Sequence, residues 1–305
     1  MKLKNIVAAL AAGIALASPL AAQAHEYNDG TYIWGFSTYV NDNNERVAML
    51  REVWRVDGQK FEGAITFPAT VSLTVTNELG YSKWDVATGK YTWVATRPQK
   101  IETLTLPVEE ISWNNGFRLK DVVHEEQWGT WTSMEYQRDP LITAITIPEG
   151  VKYVSSLNNV CLTNVTAVSF PSTVEEIEYC FCFCDKLASV SVPEDAYIAE
   201  AFIGTPWAKA MGDFFVWNGN LVRYQGTATK VVVPEGVVTI GTFAFSEAAS
   251  AADITSVKLP TSLEEIGDGA FTCCEKMASI NIPDRVYSIG VDALAGCAAL
   301  TAISL

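Results

Sequence analysis

The segment Ile254–Met277 reads ITSVKLPTSLEEIGDGAFTCCEKM. Val257 and Leu259 alternate with Ser256 and Lys258, the period of a strand with one apolar face. Pro260 then removes a backbone donor and ends the run. A second apolar pair, Leu263 and Ile266, follows, then Phe271, then Cys274 three residues before Met277. Strand, bend at proline, short extended segment, one or two helical turns: the unit is too small to bury its own apolar side.

The unit recurs. Upstream stand Ile142-Thr-Ala-Ile145-Thr-Ile147-Pro148, Val165-Thr-Ala-Val168-Ser-Phe170-Pro171, Leu187-Ala-Ser-Val190-Ser-Val192-Pro193 and Ala228-Thr-Lys-Val231-Val-Val233-Pro234. Downstream stand Met277-Ala-Ser-Ile280-Asn-Ile282-Pro283 and Leu300-Thr-Ala-Ile303-Ser-Leu305. Ile101-Glu-Thr-Leu104-Thr-Leu106-Pro107 fits the pattern, and Ile65-Thr-Phe67-Pro68 is a degenerate copy. Prolines from Pro148 to Pro283 are 23, 22, 41, 26 and 23 residues apart. Such a period with one long interruption indicates a solenoid whose stacked coils share a core. Val174/Ile177, Val237/Ile240 and Val286/Ile289 repeat the second pair, and Phe181, Phe245 and Leu294 the residue after it.

The full pattern in Ile254–Met277 resembles the BspA-like bacterial leucine-rich repeat. The match is specific over 141–305, partial over 101–140 and weak before that. Thr205-Pro206-Trp207 and Asn218-Gly-Asn-Leu221-Val-Arg-Tyr224-Gln-Gly226 resemble an interruption common in that family. The resemblance implies a secreted or displayed bacterial protein with an adhesive role toward host or bacterial proteins. It names no ligand.

The expected fold is an α+β repeat, a leucine-rich-repeat solenoid with a β-rich N-terminal cap. Residues 1–24, with Lys2, Lys4, an apolar run and Ala22-Gln23-Ala24, form a signal peptide. Residues 25–100 make the cap with degenerate repeats, and 101–305 the solenoid, with insertions at about 112–140 and 196–227. Within the second insertion, Tyr197–Met211 reads as helical, broken at Pro206. Phe214–Trp217 and Leu221–Tyr224 flank Asn218-Gly219, a strong hairpin signal.

Composition narrows the function. Lys and Arg total 21 against 35 Asp and Glu, a net charge of −14, which disfavours nucleic acid. No apolar run after the leader reaches the ~20 residues of a membrane helix. The expected location is extracellular, at the cell surface or in the periplasm. His25 and His124 are the only histidines. Cleavage after Ala24 would make His25 an N-terminal copper chelator, with His124 the one available second histidine. A surface role for both is the simpler reading, and no metal or other cofactor is expected. Asn28-Asp-Gly30 and Asn41-Asp-Asn-Asn-Glu45 lack calcium-loop spacing and read as turns. Of Glu109-Glu110, Glu175-Glu176 and Glu264-Glu265, the last two recur with the repeat, and the pairs read as a solvated face rather than glycosidase pairs. Serine lacks a nucleophile-elbow context. Cys184, Cys274 and Cys297 share one phase, so they are expected as buried, unbridged turn filler.

The chain is therefore expected to be a non-catalytic binding protein, its partner most simply a protein. Glycan binding through the Trp-rich N-terminal region, or a purely structural surface role, are the alternatives. Seven of the nine tryptophans lie between residues 34 and 131. Candidate contacts are Trp113, Trp128, Trp131 and Tyr136, together with Lys230 and Lys258 on the outward strand face. That face, from Thr103/Thr105 through Ser279/Asn281, is expected to be one flat sheet of small side chains.

Overall fold

The computed structural model describes residues 25–77, 80–85, 90–95, 100–126, 129–137, 141–157, 162–246 and 251–304. Side chains in parts of the strands between residues 74 and 137 are outside this description. Residues 1–24, the expected signal peptide, together with Trp128 and Cys161, lie outside the described residues.

The chain winds as a β-solenoid of about seven turns, nearly all strand. The α+β expectation is corrected accordingly. One α-helix, Pro206–Lys209, stands among the described residues, beside the 3-10 turn Ala251–Asp253. Most coils carry strands of two or three residues on two sides. Such strands do not survive alone; they persist because each is hydrogen-bonded in parallel to the coils above and below.

The strands before the prolines form the first ladder. Glu62–Thr66, Leu141–Thr146, Ala167–Ser169 and Ser189–Ser191 make one parallel sheet. Lys230–Val232, Ser256–Lys258, Ser279–Asn281 and Ala302–Ser304 make another. Register is strict: Ile145 faces Val168, Val257 faces Ile280 and Ile280 faces Ile303. At the corner the proline carbonyl accepts the amide three residues on: Val151 to Pro148, Val174 to Pro171, Leu263 to Pro260, Val286 to Pro283. Proline has no amide to lose there, so it ends the strand and shapes the turn at little cost.

Strands after the corner form the second ladder. Tyr153–Ser155, Glu176–Glu178 and Tyr197–Ala199 stack in parallel on the strand Lys100–Glu126. Asn220–Tyr224, Thr239–Ile240, Glu265–Ile266 and Ser288–Ile289 continue below the interruption. Val154, Ile177, Ile198, Ile240 and Ile266 are buried from this side. Aromatic rings stack through the third side, Phe181 on Phe202 at 5.7 Å and Phe245 on Phe271 at 4.8 Å. Tyr224 joins the second stack at 5.2 Å from Phe245. The third turn closes with Leu187 donating to the Cys184 carbonyl, Met277 to Cys274 and Leu300 to Cys297. A small apolar residue fits that inward turn, as the cysteine phase suggests. Cys184 and Cys274 are buried, whereas Cys297 is only partly so, because no described coil stacks beyond it. The six described cysteines are unbridged.

The first complete coil departs from the expected register. Ile101–Pro107 does not join the first ladder; residues 100–107 pair antiparallel with Thr70–Asn77. The degenerate copy takes its place, Ile65 facing Ile145 and Thr66 facing Thr146. Ile111 then supplies the second-ladder residue, facing Val154. The coil is split, with a ribbon between its halves that includes the antiparallel pair Gly80–Asp85 and Lys90–Ala95. Hydrophobic spacing cannot distinguish these alternatives, since both segments alternate at period two.

Before it, His25–Asn28, Tyr32–Val40 and Arg46–Arg55 form an antiparallel meander. Its last strand extends the second ladder by pairing in parallel with the strand Lys100–Glu126. Trp34, Phe36, Phe61, Phe67 and Phe117 are buried in a core continuous with the coils.

The interruption near 200–226 is a coil built differently. Tyr197–Ala199 is a strand, not the expected helix; β-branched Ile198 packs inward as one more ladder residue. Thr205 caps the short helix, its Oγ1 accepting from the Ala208 amide at 3.1 Å, and Pro206 occupies the first turn. Phe214–Trp217 and Asn220–Tyr224 form the expected hairpin. Asn218 and Gly219, at φ 44° and 73°, supply its left-handed turn. The second strand pairs with the hairpin on one edge and with Thr239–Ile240 on the other. Asn220 reaches back to the Ile198 carbonyl at 2.9 Å and Arg223 forward to the Phe243 carbonyl at 2.9 Å. These buried polar side chains link the coils where the hydrophobic core divides in two.

Candidate functional site

Two faces of the solenoid and one hairpin carry the candidate residues. The first-ladder face is exposed as read from the alternation: Thr146, Ala167, Ser169, Ser189 and Ser191 point out of the upper sheet. Lys230, Val232, Lys258, Ser279 and Asn281 point out of the lower one. The expected single flat sheet is two sheets of four strands, interrupted where the helix and hairpin intrude. Thr103 and Thr105 are exposed, but on the antiparallel ribbon rather than on this face. Lys230 lies opposite Ser256 and Lys258 opposite Val232, so both cations occur on neighbouring strands. Lys258 borders a shallow hollow at the proline corner, with Thr261, Asn281, Asp284 and Arg285. Val232 between them is 62% exposed, unusual for a strand valine.

The aromatic candidates occupy the strand Lys100–Glu126 and its hairpin partner Gly129–Gln137. Trp113 follows Ser112, the last residue paired with Tyr153–Ser155. Trp131 pairs with His124 and Tyr136 with Arg118 across the antiparallel hairpin. Trp128, between these strands in the sequence, lies outside the described residues. The backbone thus brings Trp131 and Tyr136 onto one strand, while Lys230 and Lys258 belong to a different sheet. His25 stands in the meander with its ring 5.4 Å from Phe36. Among the described residues, no group of three His, Cys, Asp or Glu is placed to hold a metal ion.

The second-ladder face is less simple than a solvated charge stripe. Backbone register aligns Glu110, Tyr153, Glu176 and Tyr197 on successive strands, alternating acid and phenol. Glu109, expected on a solvated face, is buried; it pairs with Lys152 and accepts from Asn41 Nδ2 at 3.1 Å. Burial raises Glu110 to about 7, against the pull of Arg51. Burial, then the neighbouring Glu176 carboxylate, raises Glu178 to about 7. Glu176 is raised chiefly by burial as well. Burial, then the charges of Glu178 and Glu176, pushes the Tyr197 phenol to about 12. The strip therefore changes charge near neutral pH. Sequence reasoning missed it because each coil was read for its inward residues. The signal lies in the residue before each inward isoleucine or valine, compared from coil to coil.

No curated protein matches the chain. Solved structures resemble it at low identity. A leucine-rich cell surface protein from Faecalibacterium prausnitzii A2-165 is 21% identical, with 92% of this chain and 54% of that one covered and a TM-score of 0.34. This chain therefore spans about half of that protein's length. A leucine-rich repeat protein of T. pallidum is 17% identical, covering 87% and 88%, also at TM-score 0.34. A leucine-rich repeat protein from Eubacterium ventriosum ATCC 27560 is 15% identical, covering 92% and 72%, at TM-score 0.32. The model of the BspA type leucine-rich repeat region matches six copies, at residues 130–204 and 222–305. Relatives of this type are bacterial surface proteins and generally non-enzymatic. No helix among the described residues is long and apolar enough to cross a membrane. With that match over more than half of its length, the chain belongs to the BspA-type leucine-rich repeat family.

Proposed function

We propose that this chain is an exported, non-catalytic repeat protein that binds a protein ligand on a host or bacterial surface. The observation that carries the reading is the first-ladder face. Its outward residues are exposed and mostly small, while every inward neighbour on the same strands is wholly or largely buried up to the last coil. A rigid scaffold thus presents a surface whose residues the core does not dictate. Lys230 and Lys258 are its charged contacts, and Trp113, Trp128, Trp131 and Tyr136 are its aromatic contacts. The meander and residues up to 100 serve as the cap of the first coil, consistent with the buried Trp34 and Phe36. Export rests on the leader-like residues 1–24 and on the family.

The glycan-binding alternative draws on the same tryptophans, but Trp34 is fully buried and donates to Asp29 Oδ2 at 2.7 Å. The discriminating variant is Trp128→Ala/Trp131→Ala. A contact role leaves the melting temperature unchanged and abolishes binding to cells displaying the ligand. A packing role costs about 3–5 kcal/mol for each buried ring removed. A stable double variant that still binds would remove the hairpin from the site. A glycan array on the wild type decides between sugar and protein.

A further inference from the structure

The third side of each coil is held by backbone bonds that run through left-handed residues. Tyr179 donates to the Ala199 carbonyl, Phe202 to Cys180 and Phe183 to Ile203, at 3.1, 2.8 and 2.7 Å. Aligned coil by coil, one left-handed column contains Tyr179, Glu200, Phe243, Gly269 and Asp292, with φ between 46° and 57°. Another contains Phe183, Gly204, Cys273 and Gly296, with φ from 56° to 79°. Glycine meets this requirement without strain, and the chain uses it in both columns. Phenylalanine and tyrosine meet it badly.

The strained rings are also exposed. Phe183 is 67% exposed, Tyr179 44% and Phe243 37%. Phe183 lies across the next coil's Gly204, where an added Cβ would stand 2.8 Å from the ring. Phe243 lies across Gly269 in the same manner, at 2.3 Å. Packing explains only one face of each ring. Positions where glycine suffices elsewhere in the column instead carry a strained backbone and bare aromatic surface, a combination that marks function.

Around Tyr179 and Phe183 the polar groups are mostly acidic. Glu200 accepts from the Tyr179 hydroxyl and holds that ring. Glu178 precedes it, and Asp185 is exposed two residues beyond Phe183. Lys186, three residues beyond Phe183, is engaged with Asn164 Oδ1 at 2.7 Å. The whole chain carries −14. Aromatic faces edged by carboxylates suit a planar cation, which stacks on the ring and bonds the acid.

We propose that Tyr179 and Phe183 form a docking surface for an arginine-bearing extended segment of the protein ligand. The proposal rests on the protein-binding reading above and places part of its contact on a third face. Substituting glycine removes each ring, changes no charge and suits the backbone. Tyr179→Gly/Phe183→Gly is therefore expected to melt at or above the wild-type temperature; Tyr179→Asn/Phe183→Asn, also compatible with φ > 0, serves if the first variant folds poorly. Probes are fluorescein-labelled nona-arginine, nona-lysine and a hexamer of N-acetylglucosamine, read by anisotropy at 50 mM salt. Loss of the rings is expected to weaken nona-arginine about 5–30-fold, and nona-lysine less. Unchanged nona-arginine affinity would reduce the interaction to diffuse charge and overturn the proposal. So would selective loss of the sugar hexamer. Wild-type adhesion that survives in the variant, with unchanged nona-arginine affinity, refutes this surface alone. Wild-type protein that binds neither cells nor purified ligand refutes the proposed function itself.

Discussion

Gly267 offers a test in which two physical effects have opposite sign. It follows the inward Ile266, as Gly241 follows Ile240 and Gly290 follows Ile289. Its φ is outside the left-handed region, so no conformational rule demands glycine. On chain entropy alone, Gly267→Ala would stabilise by about 0.4–1 kcal/mol. The stacked coil forbids it. A Cβ at this position would stand 2.8 Å from the Thr242 nitrogen and 3.0 Å from the Gly241 carbon and the Ile240 oxygen. All three are backbone atoms, so no rotamer change relieves the contact. The coils must separate by about half an ångström, against the Gly267 to Ile240 bond at 2.8 Å and the Phe243 to Asp268 bond at 3.0 Å.

The expected cost is about 2–3 kcal/mol, the upper part of the overpacking range. For a chain of this size that lowers Tm by roughly 3–5 °C. Gly290→Ala meets closer atoms, 2.4 Å from the Asp268 nitrogen, but no described coil lies beyond it, so it should cost less. Gly150→Ala, at φ 99° with open space around it, isolates backbone strain. Thermal and urea unfolding followed by far-UV circular dichroism ranks the three. A Gly267→Ala protein as stable as wild type, or more so, would refute the close stacking of these coils.

Three further outcomes follow from burial and ionisation. Ile266→Asp places an unpaired carboxylate in a 3%-exposed site and should unfold several coils, whereas Ile289→Asp, at 48% exposure in the same repeat position, should melt near wild type; equal effects would break the assigned register. Cys273 is exposed and should react with iodoacetamide in the native protein, while Cys180, Cys184 and Cys274 should react only after denaturation, as mass spectrometry of the unreduced protein will read out. Burial favours the protonated forms of Glu110 and Glu178 in the folded chain, so their contribution is full below the unfolded value near 4.5 and is lost as pH rises through 7. Tm should therefore fall between pH 5 and pH 8, and Glu110→Gln/Glu178→Gln should flatten that dependence; a rise in wild type over the window would contradict the assignment.

The inward half of the repeat was legible because burial constrains it. Ile145, Val168, Val257 and Ile280 are fixed by period-two alternation and by the prolines that end their strands, and their structural registers follow that spacing. The Asn218-Gly219 hairpin was legible for an equally local reason, a turn that needs two left-handed residues. What escaped was non-local. Ile65 and Ile101 both alternate correctly, and only the pairing of distant segments decides that Ile65 joins the ladder while the segment beginning at Ile101 joins a ribbon. Tyr197–Ala199 escaped because a strand of three residues has too little sequence to overcome a helical-looking neighbourhood. The candidate site was legible only in part. Lys230 and Lys258 are exposed as read, but the Glu110–Tyr153–Glu176–Tyr197 strip arises from stacking, not from any one coil.

The same division explains where binding specificity resides. Inward positions accept little besides Ile, Val, Leu, Phe or Cys, since each must fill space against the coils on either side. Outward positions on the first ladder satisfy no packing requirement and can differ from coil to coil at little cost to the fold, and those on the other two sides are constrained only where the next coil crosses them closely, as at Gly267. A departure from the cheapest residue there is informative in a way that an inward isoleucine is not. Val232 exposed on the first ladder, half-buried acids on the second, and phenylalanine in place of glycine on the third are such departures. The interrupted coil adds a further one. Buried Asn220 and Arg223 bridge carbonyls of the flanking coils where plain ladder residues serve elsewhere. Removing Asn220's side chain takes the amide donor from the Ile198 carbonyl, whereas the Phe243 carbonyl, bonded by Arg223, also accepts from the Ser246 amide at 3.2 Å. Those two residues therefore tie the interrupted coil to the coil on each side of it, in place of the apolar contacts that join the regular coils.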